Sequence, residues 1–240
     1  MPATTRLGML TPSSNTVLEP MTQAMIAGLD GVSAHFARFR VVEISLRTEA
    51  LGQFQLEPML AAAELLADAK VDAIAWNGTS AGWLGFDKDE TLCAAIETRT
   101  GVPASSSVLA LLDIVKRSGA STYGLVTPYV ADVQDKIVET FAGAGLTCAA
   151  EEHLSITENF AFGEVSEARV REMCFGVARA QPDCIIVLCT NMRGGRIAAD
   201  IEAETGIPVH DTVATAVWGA LRKAGRDPSA IHGWGRLFQV

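Results

Sequence analysis

The sequence predicts an α/β fold of two pseudo-symmetric lobes, each a parallel sheet flanked by helices. Three observations carry this prediction. Short β-rich runs alternate with helical stretches, the pattern of parallel strands joined by crossover helices. The chain also repeats itself: GMLTP at 8–12 returns as GLVTP at 124–128, DAIAWNG at 72–78 as DCIIVLC at 183–189, and IETRTGVP at 96–103 as IEAETGIP at 201–208. The offsets of 116, 111 and 105 shrink steadily, as differing loop lengths in two copies of one unit would make them. Generic strand-turn-helix character explains the alternation but not the shared Thr-Gly-Val/Ile-Pro. Finally, 240 residues with 49% hydrophobic content can fill one large core or two smaller ones. The duplication decides for two lobes, 1–115 and 116–240, with a last helix able to cross over.

The elements follow in order. The apolar run 6–11 predicts a buried strand, and Ser13, Ser14 and Asn15 are N-cap residues for a helix over 15–28. Alternation over 33–42 predicts a second strand, and the Ala/Leu-rich stretch 56–69 a helix. A strand over 71–77, a helix through 89–98, a short strand at 102–104 and a helix over 108–118 complete the first copy. The second copy reads as strand 122–127, helix 130–144, strand 146–151, a loop through 155–164 and helix 167–180. The strongly apolar strand 184–190, helix 196–205, strand 207–210 and helix 213–224 end it.

Composition narrows the function. Nineteen basic against 28 acidic residues give a net charge of −9, which repels phosphate backbones and excludes nucleic acid as a partner. No run of 18 apolar residues spans a membrane, and the N-terminal MPATTR lacks the apolar stretch of a signal peptide. Five cysteines, an odd number without framework spacing, predict free thiols and a reducing, cytoplasmic compartment. His35, His153, His210 and His232 form no metal spacing, and Cys184 with Cys189 lacks the second pair a zinc site needs. With neither a Walker loop nor G-x-G-x-x-G, no metal or cofactor is expected.

In open α/β sheets ligands bind beyond the carboxyl ends of the strands. The repeat locates four such ends: 11–15 (TPSSN), 77–80 (NGTS), 127–129 (TPY) and 189–191 (CTN). All are turns rich in hydroxyls and amides, and helix N-termini add backbone donors, so the cleft suits an anion such as a carboxylate or enolate. Cys189 ends an apolar run and opens a turn before a helix. That position predicts a lowered thiol pKa and nucleophilic or acid–base work. At the equivalent position of the first copy stands Gly78, not a second thiol. The Tyr129 hydroxyl can donate to an oxyanion. Asn159 reads as a turn residue, and His210, at a strand end, as packed or lining the cleft. Cys93, Cys148, Cys174 and Cys184 read as packing.

On these residues the chain resembles the aspartate/glutamate racemase superfamily, nearest the branch of maleate cis-trans isomerases and arylmalonate decarboxylase. The resemblance covers essentially the whole chain. It is carried by 12–15 (PSSN), 77–80 (NGTS), 127–129 (TPY), the Asn159 loop, Cys189 and 233–238 (GWGRLF). It implies two Rossmann-like lobes, an active site between them, chemistry without a cofactor, and frequent assembly into dimers or larger homo-oligomers. Racemases and isomerases of this kind use two cysteines, one per lobe. Gly78 in place of the first resembles the decarboxylase, whose Gly-Thr-Ser turn forms a dioxyanion hole. Carried over, Thr79, Ser80 and Tyr129 hold an enediolate and Cys189 protonates one face. Asn15 and Asn159 correspond instead to isomerase residues that grip a substrate carboxylate, and Thr190 lies in the same polar turn as Cys189. Trp76, Trp83, Phe160 and Phe162 are candidates for an apolar wall.

Three readings stand. The first is a decarboxylase of a malonate-type diacid, a small carboxylate substrate. The second is an isomerase or racemase in which Thr79, Ser80 or His210 replaces the missing thiol. The third is a binding module for a small carboxylate, against which the exposed-looking Cys189 counts.

Overall fold

The computed structural model describes residues 4–240; Met1–Ala3, part of the signal-peptide reading, lie outside the described residues. In chain order the main elements are β1 (Thr5–Pro12), α1 (Leu18–Ile26), β2 (Val32–Phe39), α2 (Thr48–Leu51), α3 (Leu56–Asp68), β3 (Ala73–Trp76), α4 (Ala81–Leu84), α5 (Phe86–Thr100), β4 (Ala104–Ser106) and α6 (Ser107–Ser118). There follow β5 (Thr122–Thr127), α7 (Ala131–Gly143), β6 (Thr147–His153), α8 (Asn159–Phe162), α9 (Glu167–Ala178), β7 (Cys184–Val187), α10 (Ala198–Thr205), β8 (Val209–Asp211) and α11 (Thr212–Lys223). The strands form two parallel four-stranded sheets, ordered β2-β1-β3-β4 and β6-β5-β7-β8. Both have the same order, so each has its topological switch between its two central strands, where an α/β sheet opens its binding crevice.

The duplication extends to individual hydrogen bonds. The Arg6 N–H donates to Asp72 Oδ2 at 2.7 Å, and Thr122 N–H donates to Asp183 Oδ2 at 2.8 Å. Ala104 N–H donates to Glu97 Oε1 at 2.8 Å, and Val209 N–H to Glu202 Oε1 at 2.9 Å. These pairs show what the repeated motif does. Gly101 and Gly206 end α5 and α10 at φ 71° and 76°, a left-handed conformation that costs glycine little. The preceding Thr100 and Thr205 hydroxyls accept from Val102 and Ile207 N–H at 3.1 and 3.2 Å, and the upstream glutamate starts the next strand.

The two halves exchange helices. α11 packs on β3, β4 and α6, where its apolar face joins Leu7, Met9, Ala75 and Ile114. α4 packs on α7, and Gly82 lets it approach Leu188, to which an added Cβ would lie 3.1 Å away. The strand ends of the two sheets are thereby fixed against each other.

Several boundaries differ from expectation, each for a local reason. The first helix begins at Leu18, not residue 15, because Asn15 Oδ1 takes the N–H groups of Val17 and Leu18 at 3.0 and 2.9 Å. β2 stops at Phe39, and beyond it the Val41 carbonyl accepts the Ser14 hydroxyl at 2.7 Å. β7 stops at Val187, leaving 188–190 as a turn. α4 intervenes before α5, separated from it by Gly85 at φ 105°. α8 occupies part of the expected loop 155–164.

Candidate active site

The carboxyl ends of β1, β3, β5 and β7 converge on one small cavity of about 20 Å³. Of the eight site residues expected from sequence, Gly78, Thr79, Ser80, Tyr129, Asn159, Cys189 and Thr190 line it. Asn15 does not. Its amide is spent on the N–H groups of Val17 and Leu18 and on Thr190 Oγ1, to which Nδ2 donates at 3.2 Å. The Thr190 hydroxyl in turn donates to the Asn77 carbonyl at 2.9 Å. This chain of bonds ties the ends of β1, β3 and β7 together across the two sheets. A second tie runs from Asn191, whose Oδ1 accepts the Thr16 N–H at 3.0 Å and whose amide donates to the Asn159 carbonyl. Asn159 completes it by donating to Ser14 Oγ at 2.9 Å.

Three hydroxyls gather beside the thiol. Tyr129 is buried, its ring packed edge-on against Trp83 and Phe162 at 5.3 and 5.5 Å. Its hydroxyl shares a 2.7 Å hydrogen bond with Thr79 Oγ1 and also faces the Cys189 sulfur. Burial, and then the nearby thiol, push the Tyr129 pKa well above the ordinary phenol value, so it is a donor throughout the physiological range. Ser80 stands next to Thr79 at the start of α4.

Cys189 is 3% exposed, which corrects the expectation of an exposed thiol. The expected lowering of its pKa is overturned as well. Burial pushes the thiol up to about 12, outweighing the backbone N–H of Asn191, the Tyr129 hydroxyl and the Met192 N–H, all of which favour thiolate. Desolvation of an isolated anion exceeds what a few hydrogen bonds return. Cys189 therefore rests as a protonated thiol at neutral pH. The other expected packing cysteines behave so: Cys93, Cys174 and Cys184 are buried, and Cys148 is half-buried.

The first sheet's counterpart of Cys189 is closed. A Cβ added at Gly78 would fall inside the Trp76 indole, meeting Cζ2, Cε2 and Cη2. Trp76 is itself buried and lines the cavity with Trp83, Phe54, Val41 and Ile44. Of the four aromatics proposed for an apolar wall, Trp76 and Trp83 line it and Phe162 stands behind Tyr129. Phe160 is 48% exposed and takes no part. His210 is buried and does not line the cavity, so it does not stand in for a first-lobe thiol; burial pulls its pKa down to about 4. Sequence reading passed over Phe54, Val41 and Ile44. They arrive from the segment between β2 and α3, which lies outside the repeated strand-end turns. Among the described residues no cluster of three or more His, Cys, Asp or Glu is placed to hold a metal, and no helix is long and apolar enough to cross a membrane.

Comparison with known proteins agrees with this geometry. The sequence profile described as arylmalonate decarboxylase matches residues 44–238. The maleate isomerase of Geobacillus stearothermophilus is 25% identical over 230 residues, covering 90% of each chain. The arylmalonate decarboxylase of Bordetella bronchiseptica is 28% identical over 164 residues, covering 67% of this chain and 68% of that one. Among solved structures, a cysteine-to-serine variant of the Nocardia farcinica maleate cis-trans isomerase, bearing a covalent succinylcysteine intermediate, superposes with a TM-score of 0.90 at 23% identity over 98% of both chains. The relatives are isomerases and decarboxylases, and this chain is an enzyme of the lyase or isomerase kind. With a profile match over most of its length, and two like sheets closing on one cysteine, the chain belongs to the arylmalonate decarboxylase family, in the branch of the racemase superfamily shared with the maleate isomerases.

Proposed function

We propose that the protein is a cofactor-independent decarboxylase of a malonate-type small dicarboxylic acid. The observation that carries this reading is the Trp76 indole filling the space beside Gly78. A two-thiol mechanism needs a second acid or base on the opposite face of the substrate, and that face is occupied by an indole. One protonated thiol suffices for decarboxylation.

The steps follow from the chemistry of the groups present. The retained carboxylate binds against the hydroxyls of Thr79, Ser80 and Tyr129. The departing carboxylate faces the apolar wall of Val41, Ile44, Phe54 and Trp83. A carboxylate is poorly solvated there, which favours its loss as neutral CO₂. As the C–C bond breaks, its electron pair delocalises into an enediolate, and the three hydroxyls donate to the developing oxyanions. The Cys189 S–H bond then breaks and its proton goes to carbon, forming C–H on one face. The thiolate so left, with its strongly raised pKa, regains a proton from solvent. A high thiol pKa fits this role and not that of a resting thiolate nucleophile.

Asn159 supports the isomerase alternative, because it places an amide at the wall where the departing carboxylate would sit. The two are separated by incubating substituted malonates, maleate and amino acids in D₂O and following them by NMR. Release of CO₂ with deuterium in the product supports the decarboxylase. Double-bond isomerisation, or exchange at carbon without CO₂ release, sinks it. A cytoplasmic location and a homo-oligomeric state belong to the same reading.

A further inference from the structure

The turn that carries Tyr129 is braced by a chain of hydrogen bonds that begins at the surface. α7 buries one face, on which Val133, Ile137 and Phe141 are apolar. Gln134 lies on the same face and is 1% exposed. A buried amide is costly unless it is hydrogen-bonded, and this one is bonded at both ends. Its Oε1 accepts the Thr127 hydroxyl at 2.6 Å, and its Nε2 donates to Glu151 Oε2 at 2.9 Å. The Tyr129 N–H in turn donates to Thr127 Oγ1 at 3.3 Å. Glu151, on β6, is exposed, and the same carboxylate oxygen meets His153 Nδ1 at 2.9 Å.

The polarity of this chain runs one way. A carboxylate only accepts, so Glu151 takes the amide NH₂ and leaves the amide carbonyl for Thr127. A hydroxyl has a single proton; Thr127 spends it on that carbonyl and offers Tyr129 a lone pair. The first copy is built differently. With the offset of 116, Thr11 corresponds to Thr127, Ser13 to Tyr129 and Leu18 to Gln134. Leu18 is as buried as Gln134, and the Thr11 hydroxyl turns back on the Met9 carbonyl at 3.1 Å. The buried amide therefore stands in the copy whose turn carries the hydroxyl facing the thiol.

We propose that Gln134, oriented by Glu151, is a positioning residue that acts through Thr127 to fix the Tyr129 hydroxyl where charge develops on the substrate. An oxyanion donor works only over a narrow range of placement, so a brace on its turn is felt in the rate. The assignment rests on the decarboxylase reading, in which Tyr129 is such a donor, and adds the groups that hold it.

The test follows the donor and the rate separately. The chain has two tyrosines, Tyr123 and Tyr129, so carbon-13 at tyrosine Cζ gives two NMR signals, which Tyr129→Phe assigns. Gln134→Met keeps the length of the side chain and removes both bonds. It should move the Tyr129 signal, leave that of Tyr123, and lower kcat on phenylmalonate about tenfold with KM within about twofold. In the Tyr129→Phe background the same substitution should cost nothing further in kcat, because the hydroxyl it places is gone. Glu151→Ala removes the exposed end of the chain and should give the same changes at smaller size; it decides the matter if the methionine variant does not fold. A Tyr129 signal that stays in place, or a loss of kcat that adds in full to that of Tyr129→Phe, overturns the proposal. A Tyr129 signal that moves as expected, in a protein that decarboxylates no malonate, keeps the brace and removes the decarboxylase. Malonate turnover indifferent to Gln134 and Glu151 does the reverse.

Discussion

The ends of β3 and β7 are the same place in two copies of one unit, and they have been put to opposite uses. In the first copy the sequence is Trp76-Asn77-Gly78; in the second it is Val187-Leu188-Cys189. The backbones agree: Asn77 N–H donates to the Leu10 carbonyl at 3.0 Å, and Leu188 N–H to the Val126 carbonyl at 3.0 Å. The side chains do not. A large indole beside glycine replaces a small valine beside a thiol. In this chain the indole fills the space that a side chain at position 78 would need, so the asymmetry of the two strand ends is built from the volume of a residue two positions upstream.

The strongest break is to remove the one thiol. Cys189→Ala should lower kcat on a substituted malonate by about 10⁴, with Cys189→Ser keeping a trace, because a general acid supplies up to about that factor. Activity near wild type in the alanine variant would refute the assignment. Next in size is the donor set facing the thiol. Tyr129→Phe should cost about 10² to 10³ in kcat, the usual effect of deleting one oxyanion donor, with an unchanged unfolding midpoint as control. The comparison itself is tested by making the first copy like the second. Gly78→Cys alone should destabilise the fold by about 3 kcal/mol or more, as the indole is displaced. Gly78→Cys with Trp76→Val should recover most of that loss and present two thiols, read out as racemisation of a chiral arylacetate in D₂O.

Two pH predictions follow from burial. The protonated Cys189 should hold kcat level through pH 9, where an ordinary thiol is half ionised, and lose it only as pH approaches 12. A decline centred near pH 9 would place the thiol in contact with solvent. The other effect concerns the ends of β4 and β8. Ser106 Oγ accepts the Leu109 N–H and starts α6, while Asp211 Oδ1 accepts the Val213 and Ala214 N–H groups and starts α11. Burial raises Asp211 to about 7 from 3.8 despite those bonds. A raised carboxyl contributes stability that is full below pH 3.8 and is lost as pH rises through 7. Relative to Asp211→Asn, which keeps the cap, the wild type should therefore lose up to about 4 kcal/mol between pH 4 and 8, measured by denaturant unfolding.

Much of this was legible before folding because it is local. The repeated motifs, the strand-end turns and the one cysteine at such a turn are each written in a few neighbouring residues. The Thr-Gly-Val/Ile-Pro ends of α5 and α10 are of this kind. Asn15 shows where local reading stops. Its turn was evident, but its amide is claimed by Thr190, 175 residues away.

By itself, then, the sequence determined two like α/β units, the strand ends that face each other, and which of them carries a thiol. The tertiary structure alone decided what those groups are. Whether Cys189 rests as thiol or thiolate depends on Tyr129 and the residues packed over it from distant segments, and burial outweighs the turn's own amides. The indole beside Gly78 is likewise a fact of packing. Desolvation and excluded volume act between residues far apart in the chain, and neither leaves a periodicity or a motif to read.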